Sequence, residues 1–218
     1  MKWFRKRIIS PILQRFVRFY FKKERKFHYG SIKAVVLPGV FFPHFTLSTR
    51  FLMSFLEHQD LNGMSFLELG CGTGMISALA AKKGAKVLAT DINPKALENA
   101  KRNADLNQVK LETLHSDLFK QIPSQQFDFI VINPPYYPKQ PNNDAEKAWF
   151  CGENFEYFEK LFSTLKPYVQ VDSKVLMVLS EDCELAKIQS IAQRNGFKFL
   201  KKVEKKIRGE RNYIFQIV

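Results

Sequence analysis

The chain has 218 residues, 45% hydrophobic and 14% aromatic, with 34 Lys and Arg against 21 Asp and Glu for a net charge of +13. That is enough apolar mass for a full core in one domain. No apolar run reaches the roughly 18–20 residues of a membrane span. Cys71, Cys151 and Cys183 make no disulfide framework, which fits a reducing cytoplasm, and the four histidines lack metal-ligand spacing, so no metal site is expected.

The charge is unevenly placed. Residues 1–27 hold ten Lys and Arg against Glu24, and residues 201–211 hold six against Glu204 and Glu210. The remainder is balanced. Two basic segments on a neutral body point to a polyanionic partner such as RNA or a ribosomal particle.

Ser10-Pro11 reads as the cap and first position of a basic amphipathic helix. Ile12, Leu13, Phe16, Val17 and Tyr20 share one face, and Arg15, Arg18 and Lys22 another. Such a helix packs on its own domain, touches nucleic-acid phosphates, or lies on a membrane surface. All three readings stay open, the membrane last. Residues 1–33 are set apart as a basic extension and 34–218 as the main domain.

Residues 35–43 read as a short strand and loop, and Thr46 to Leu56 as a helix with Phe51, Leu52, Phe55 and Leu56 as its stripe. The apolar run Phe66-Leu67-Glu68-Leu69 then ends in Gly70-Cys71-Gly72-Thr73-Gly74, and a small-residue helix follows over 75–83. Lys86–Thr90 is a second strand ending in Asp91, and Asn93-Pro94 starts a helix with Leu97, Ala100 and Ala104 inward. Val109–His115 is a third strand ending at Ser116-Asp117. Phe127–Ile132, apolar except for Asp128, is a fourth strand ending in Asn133-Pro134-Pro135-Tyr136. After a polar loop over 137–147 come a helix near 153–166, a strand over 174–179 and a helix over 184–194. Residues 197–206 and 213–218 close the chain as an antiparallel pair around Gly209.

Alternating strands and helices call for a doubly wound, Rossmann-like α/β parallel sheet. Ligands in such sheets bind at the carboxyl ends of the strands. The special residues all fall there.

Glycines let a ligand approach the backbone at the mouth of a helix. The third glycine comes one residue too early for the usual pyrophosphate turn, which favours S-adenosylmethionine over a dinucleotide. Asp91 sits where a carboxylate accepts two hydrogen bonds from a ribose diol, and a helix-capping role is the plainer alternative. Asp117 sits where an adenine amine would be received, or caps the turn at Leu118. Cys71 is a small residue chosen for space.

Asn133-Pro134-Pro135-Tyr136 is the most informative tetrapeptide. Two prolines stiffen the backbone and remove two donors, leaving carbonyls free. Asn133 adds a side-chain carbonyl and Tyr136 an aromatic face, which together suit a planar NH2 group. A strand-ending loop is the plain alternative.

The body of the chain resembles the class I S-adenosylmethionine-dependent methyltransferases. Leu67 to Gly74 looks like their first motif, and Asn133 to Tyr136 is similar to the motif of amino- and amide-nitrogen methyltransferases. The resemblance implies a seven-stranded sheet of order 3-2-1-4-5-7-6 with the last strand antiparallel. It implies cofactor contacts from Glu68, Gly70, Cys71, Gly72, Thr73, Gly74, Asp91, Ile92, Asp117, Leu118 and Asn133, and catalysis at Asn133, Pro134, Pro135 and Tyr136.

Two branches compete for the acceptor. Ala148-Trp149 and Gly152 after the tetrapeptide resemble HemK-like glutamine methyltransferases of release factors. Leu37 to Phe41 and Ser48 to Leu52 look like ribosomal-RNA guanine methyltransferases, from which Tyr136 departs, since they usually carry Phe there. Adenine-N6 methyltransferases share the tetrapeptide. A base of RNA or ribosomal material is slightly favoured over a protein glutamine, and a catalytically silent RNA-binding module is the alternative from another class.

Overall fold

The computed structural model describes residues 23–40, 47–144 and 146–218. The basic helix expected around residues 10–22 lies outside them. The described chain begins with a hairpin of β1 (Arg25–Tyr29) and β2 (Ile32–Val36), then α1 (Leu47–Glu57). Next come β3 (Ser65–Leu69), α2 (Met75–Lys82), β4 (Lys86–Asp91), α3 (Pro94–Leu106), β5 (Glu112–His115) and β6 (Phe129–Ile132). The remainder is α4 (Glu156–Leu165), β7 (Lys174–Ser180), α5 (Leu185–Arg194), β8 (Phe199–Ile207) and β9 (Glu210–Ile217).

The main sheet has seven strands in the order β5-β4-β3-β6-β7-β9-β8. Counted from β3, this is the expected 3-2-1-4-5-7-6, and β9 runs antiparallel to both its neighbours. Strand alternation sorts the core into two layers. Phe66, Phe129, Val131, Leu176 and Val178 meet α1, α2 and the hairpin on one face. Leu67, Leu69, Ile130, Ile132, Val175 and Met177 meet α4 and α5 on the other. Burial on both faces is why β3, β6 and β7 read as continuous apolar runs. Asp128, the one charge beside β6, holds the Ser65 amide at 2.8 Å and its hydroxyl at 2.7 Å, so it ties the foot of β6 to β3.

Several boundaries differ from the sequence expectation for local reasons. β5 starts at Glu112 because α3 closes first, with Gln108 at φ 56° and the Val109 amide donating to the Ala104 carbonyl at 3.1 Å. α4 starts at Glu156 because Phe155 takes a left-handed φ of 64°. The strand β1 was not expected at all: its charged residues Arg25 and Lys26 read as part of the basic arm. The division drawn at 33/34 falls inside β2, and the hairpin's Ile32, Ala34 and Val36 are buried in the main core.

The hairpin is docked by three asparagines at i, i+4 and i+8, Asn99 and Asn103 on α3 and Asn107 at its C-cap, which therefore share one face. Asn99 accepts from the Leu37 amide at 2.9 Å and donates to the Val35 carbonyl at 2.6 Å. Asn103 accepts from the Val35 amide at 2.8 Å and donates to the Val35 and Thr73 carbonyls, both at 2.9 Å. Asn107 accepts from the Lys33 amide at 2.8 Å and donates to its carbonyl at 2.6 Å. Side-chain amides thus take the place of a neighbouring strand on the open edge of β2, which would otherwise leave buried backbone groups unpaired.

Asn103 is fully buried and Asn107 is not. Asn103→Ala should therefore cost about 2–3 kcal/mol in urea unfolding and Asn107→Ala about 1 kcal/mol, because only the former strands buried partners away from water. Equal losses would mean that the ladder is not what holds the hairpin.

Candidate functional site

The carboxyl ends of β3, β4, β5 and β6 open into one cavity of about 480 Å3. That lies within the range of about 300–1,000 Å3 usual for small-molecule sites. Glu68, Gly70, Cys71, Gly72 and Thr73 line it from the first strand end, Asp91 and Ile92 from the second, Asp117 and Leu118 from the third, and Asn133 to Tyr136 from the fourth. Strands that end side by side bring these residues together across 68 sequence positions. Gly74 is the exception among the expected residues: it does not line the cavity but lies against α3. A Cβ there would stand 2.6 Å from the Ala100 Cβ, and φ is 71°, so glycine is required for the loop to sit this close to the helix.

The Asp91 carboxylate organises the loop. It accepts from the Gly72 amide at 2.9 Å with one oxygen and from the Asn93 amide at 2.8 Å with the other. A carboxylate has roughly four acceptor positions, so it keeps room for a ribose hydroxyl beside its backbone donors. Burial raises its pKa above the usual carboxylate range, making it a weaker acid, and the backbone donors at Asn93, Gly72 and Ile92 oppose that shift. The helix-capping alternative is not what the side chain does here: Asn93 itself caps α3, accepting from the Lys95 amide at 3.0 Å.

Glu68 lies deeper. It is 3% exposed and accepts from the Ser77 amide at 2.8 Å and from the Ser77 hydroxyl. Ser77 is the third residue of α2, whose N-cap Gly74 has no side chain to offer. Glu68 therefore satisfies the open start of that helix from a neighbouring strand. Burial pushes its carboxyl up to about 8, against the two Ser77 donors that hold it down.

Asp117 is engaged by an ion pair with Lys160 of α4, and its backbone amide donates to Gln121 at 3.0 Å. Leu118 takes a left-handed φ of 53°, which turns the chain back beneath the cavity. Tyr136 stands at 4.8 Å from Tyr137, the rings tilted by 54°. Burial holds its hydroxyl protonated far above the usual tyrosine range, and it is hydrogen-bonded to Ser180. It is a neutral aromatic wall. Burial likewise pushes the Cys71 thiol up, which suits a space-filling residue rather than a nucleophile.

Sequence reasoning missed several lining residues. Gly39, Ser48 and Thr49 come from the segment before β3, and Tyr157 and Lys160 from α4. Thr49 and Ser48 are buried hydroxyls on the first turn of α1, and that polar pair ahead of an apolar stripe was the available signal. The loop after Tyr136 is laced back by the Tyr137 amide to the Trp149 carbonyl at 3.1 Å and the Cys151 amide to the Tyr137 carbonyl at 3.0 Å. It forms the outer rim.

A family model described as the methyltransferase small domain matches residues 31–152. The chain belongs to that family. A putative protein N5-glutamine methyltransferase of Methanocaldococcus jannaschii is 49% identical over 80 residues, 36% of this chain and 40% of the relative. Ribosomal RNA small subunit methyltransferase C of Haemophilus influenzae is 36% identical over 104 residues, 46% of this chain and 31% of the relative. The chain thus matches less than half the length of these curated relatives. Among solved structures, a 16S rRNA methyltransferase of T. thermophilus with AdoMet and guanosine superposes with a TM-score of 0.64 at 19% identity, over 89% of this chain and 50% of that one. The fold is that of the class I S-adenosylmethionine-dependent methyltransferases, and S-adenosylmethionine is the cofactor. The cavity fits it: the half-buried Asp91 carboxylate with acceptor capacity to spare, a backbone cradle at Gly70 and Gly72, and apolar walls at Ile92 and Leu118.

Two predictions follow from this geometry. Asp91→Ala should weaken S-adenosylmethionine binding by about 10- to 100-fold in calorimetry, the loss expected for hydrogen bonds to a charged group. Unchanged affinity would place the ribose contact elsewhere. Glu68 has a folded value raised above its unfolded one, so its contribution to stability is complete below about pH 4.5 and is lost as pH rises toward 8. The melting temperature of the wild type relative to Glu68→Gln should therefore fall steadily between pH 5 and 8, on the order of the whole titration. A flat difference across that window would show that the carboxyl is not held protonated.

Proposed function

We propose that the protein is an S-adenosylmethionine-dependent N-methyltransferase whose acceptor is a planar NH2 group of a macromolecule, with a base of RNA or ribosomal material ahead of a protein glutamine. The observation that carries the reaction is Asn133. Its Nδ2 donates to the Thr49 hydroxyl at 3.1 Å, and no described residue donates to its Oδ1. That oxygen belongs to a side chain lining the cavity that also contains the glycine loop and Asp91.

Bound S-adenosylmethionine supplies an electrophilic methyl group. Asn133 Oδ1 and the Pro134 carbonyl accept the two N–H hydrogens of the acceptor, and Tyr136 lies against its plane. Drawing both hydrogens into these acceptors turns the nitrogen lone pair toward the cofactor and discourages its delocalisation into the ring or carbonyl. The half-buried, neutral Tyr136 is no base. None is needed before attack, and the proton is lost to solvent afterwards. Most of the rate comes from positioning.

The case for RNA rests on where the charge lies. β7 ends at Ser180, which bonds Tyr136, and Ser180 pairs in register with Asn212 of β9. Asn212 pairs with Lys205, Arg211 with Lys206, and exposed Arg208 sits in the turn between the strands. The basic tip of the β8–β9 hairpin is therefore at the same end of the sheet as the acceptor wall. That is where the phosphates flanking a recognised base would need cations. Residues 1–27 would extend this affinity. The glutamine reading draws on Tyr136 in the fourth place of the tetrapeptide and on the local identity to the archaeal relative named for that activity.

The test is label transfer from tritiated S-adenosylmethionine to ribosomal particles, total RNA and a purified release factor in parallel. Asn133→Ala should abolish transfer while cofactor affinity stays within about twofold, since the lost interaction belongs to the transition state. Full turnover by that variant would remove Asn133 from the mechanism. Label in the release factor alone would decide for glutamine.

A further inference from the structure

The tetrapeptide by itself does not set the orientation of the Asn133 side chain. Pro134 and Pro135 stiffen the backbone after it, but the terminal torsion of an asparagine is broad and roughly two-fold. Turned one way, the amide offers Oδ1 to an incoming NH2 group. Turned the other way, it offers a second donor to a donor, and the site repels its substrate.

What distinguishes the two is supplied from 84 residues away. Thr49 stands on the first turn of α1 and is 6% exposed. Its hydroxyl receives the Asn133 Nδ2 at 3.1 Å, the side-chain bond made by Asn133 among the described residues. Thr49 lines the same cavity. A β-branched side chain on a helix has few χ1 choices, so the hydroxyl is held in place. α1 is itself fixed, with Phe51, Leu52, Met53 and Leu56 in the core against the sheet.

We infer that Thr49 is a positioning residue of the acceptor site: it captures the Asn133 amide nitrogen and so presents the amide oxygen to the acceptor NH2. This rests on the N-methyltransferase reading above. It adds to that reading a specificity role for a residue outside both sequence motifs. A site arranged in this way selects acceptors that donate two hydrogens, and discriminates against a ring nitrogen or oxygen that has none to give.

The experiment compares Thr49→Val, which keeps the shape and removes the hydroxyl, with Thr49→Ser, which keeps the hydroxyl. With ribosomal particles and a purified release factor as acceptors, Thr49→Val should lower kcat by about 10- to 100-fold, the scale of a misplaced reacting group. Cofactor affinity by calorimetry should stay within about twofold, and Thr49→Ser should recover most of the rate. In the 15N spectrum, the side-chain amide signals of Asn133, identified by their loss in Asn133→Ala, should shift and exchange faster in Thr49→Val but not in Thr49→Ser.

Wild-type kcat in Thr49→Val overturns the inference, as does a cofactor affinity that falls in step with the rate, which would make Thr49 a cofactor contact. If the wild type labels neither acceptor, the functional reading fails separately. The spectrum then decides the contact: unmoved Asn133 signals overturn it, and moved signals sustain it.

Discussion

One carboxylate joins two of the connections that line the cavity. Asp91 ends β4, and its two oxygens hold the Gly72 amide of the glycine loop and the Asn93 amide at the start of α3. Neither loop makes a regular ladder, so without this side chain both would leave partly buried backbone amides unpaired. The carboxylate keeps acceptor positions to spare, and its burial makes each of them strong. The loop comes this close to α3 only because residue 74 is glycine, since any side chain there would meet Ala100. The shape of the cavity at this loop is thus a property of packing between two helix starts as well as of the glycines.

A second constraint lies on the opposite side of that loop. The β1–β2 hairpin has only two strands, too few to be stable alone in water. α3 lends it the missing edge through Asn99, Asn103 and Asn107, and Asn103 also holds the Thr73 carbonyl within the glycine loop. The same helix therefore fixes the loop and the hairpin together. The chain then runs on from β2 to α1, which delivers Ser48 and Thr49 to the cavity. The tetrapeptide wall and the glycine loop share a single scaffold, and the neutral, half-buried Tyr136 closes it on the β7 side.

The strand ends were legible because a doubly wound sheet places function at one edge, and each strand announces its own end by a glycine, an acid or a proline. Gly70, Asp91, Asp117 and Asn133 were recoverable on that ground, and the parallel register brings them into one cavity. The partners of these residues were not legible. Lys160 lies 43 residues from Asp117, and Ser77 claims Glu68 from a helix packed on the other side of the loop. The hairpin strand β1 was hidden because its exposed positions carry charge, and a basic stretch reads as a solvated arm until Phe27 is seen to be buried.

Sequence alone determined the order of strands and helices from α1 onward, the glycine loop and the Asn133–Tyr136 tetrapeptide, since periodicity and backbone chemistry are local. It also carried the asparagines of α3, whose spacing of four places them on one face before any fold is known. Only the tertiary structure decided what those side chains face: that Asn103 completes a strand edge, that Glu68 caps a helix, and that Thr49 holds the nitrogen of Asn133. Asn103 and Thr49 find these partners 68 and 84 residues away, and Glu68 finds Ser77 nine residues on, across the loop, once strand and helix have packed. Packing around such a pair limits the water that competes for it, and local pattern does not record which partner the fold will supply.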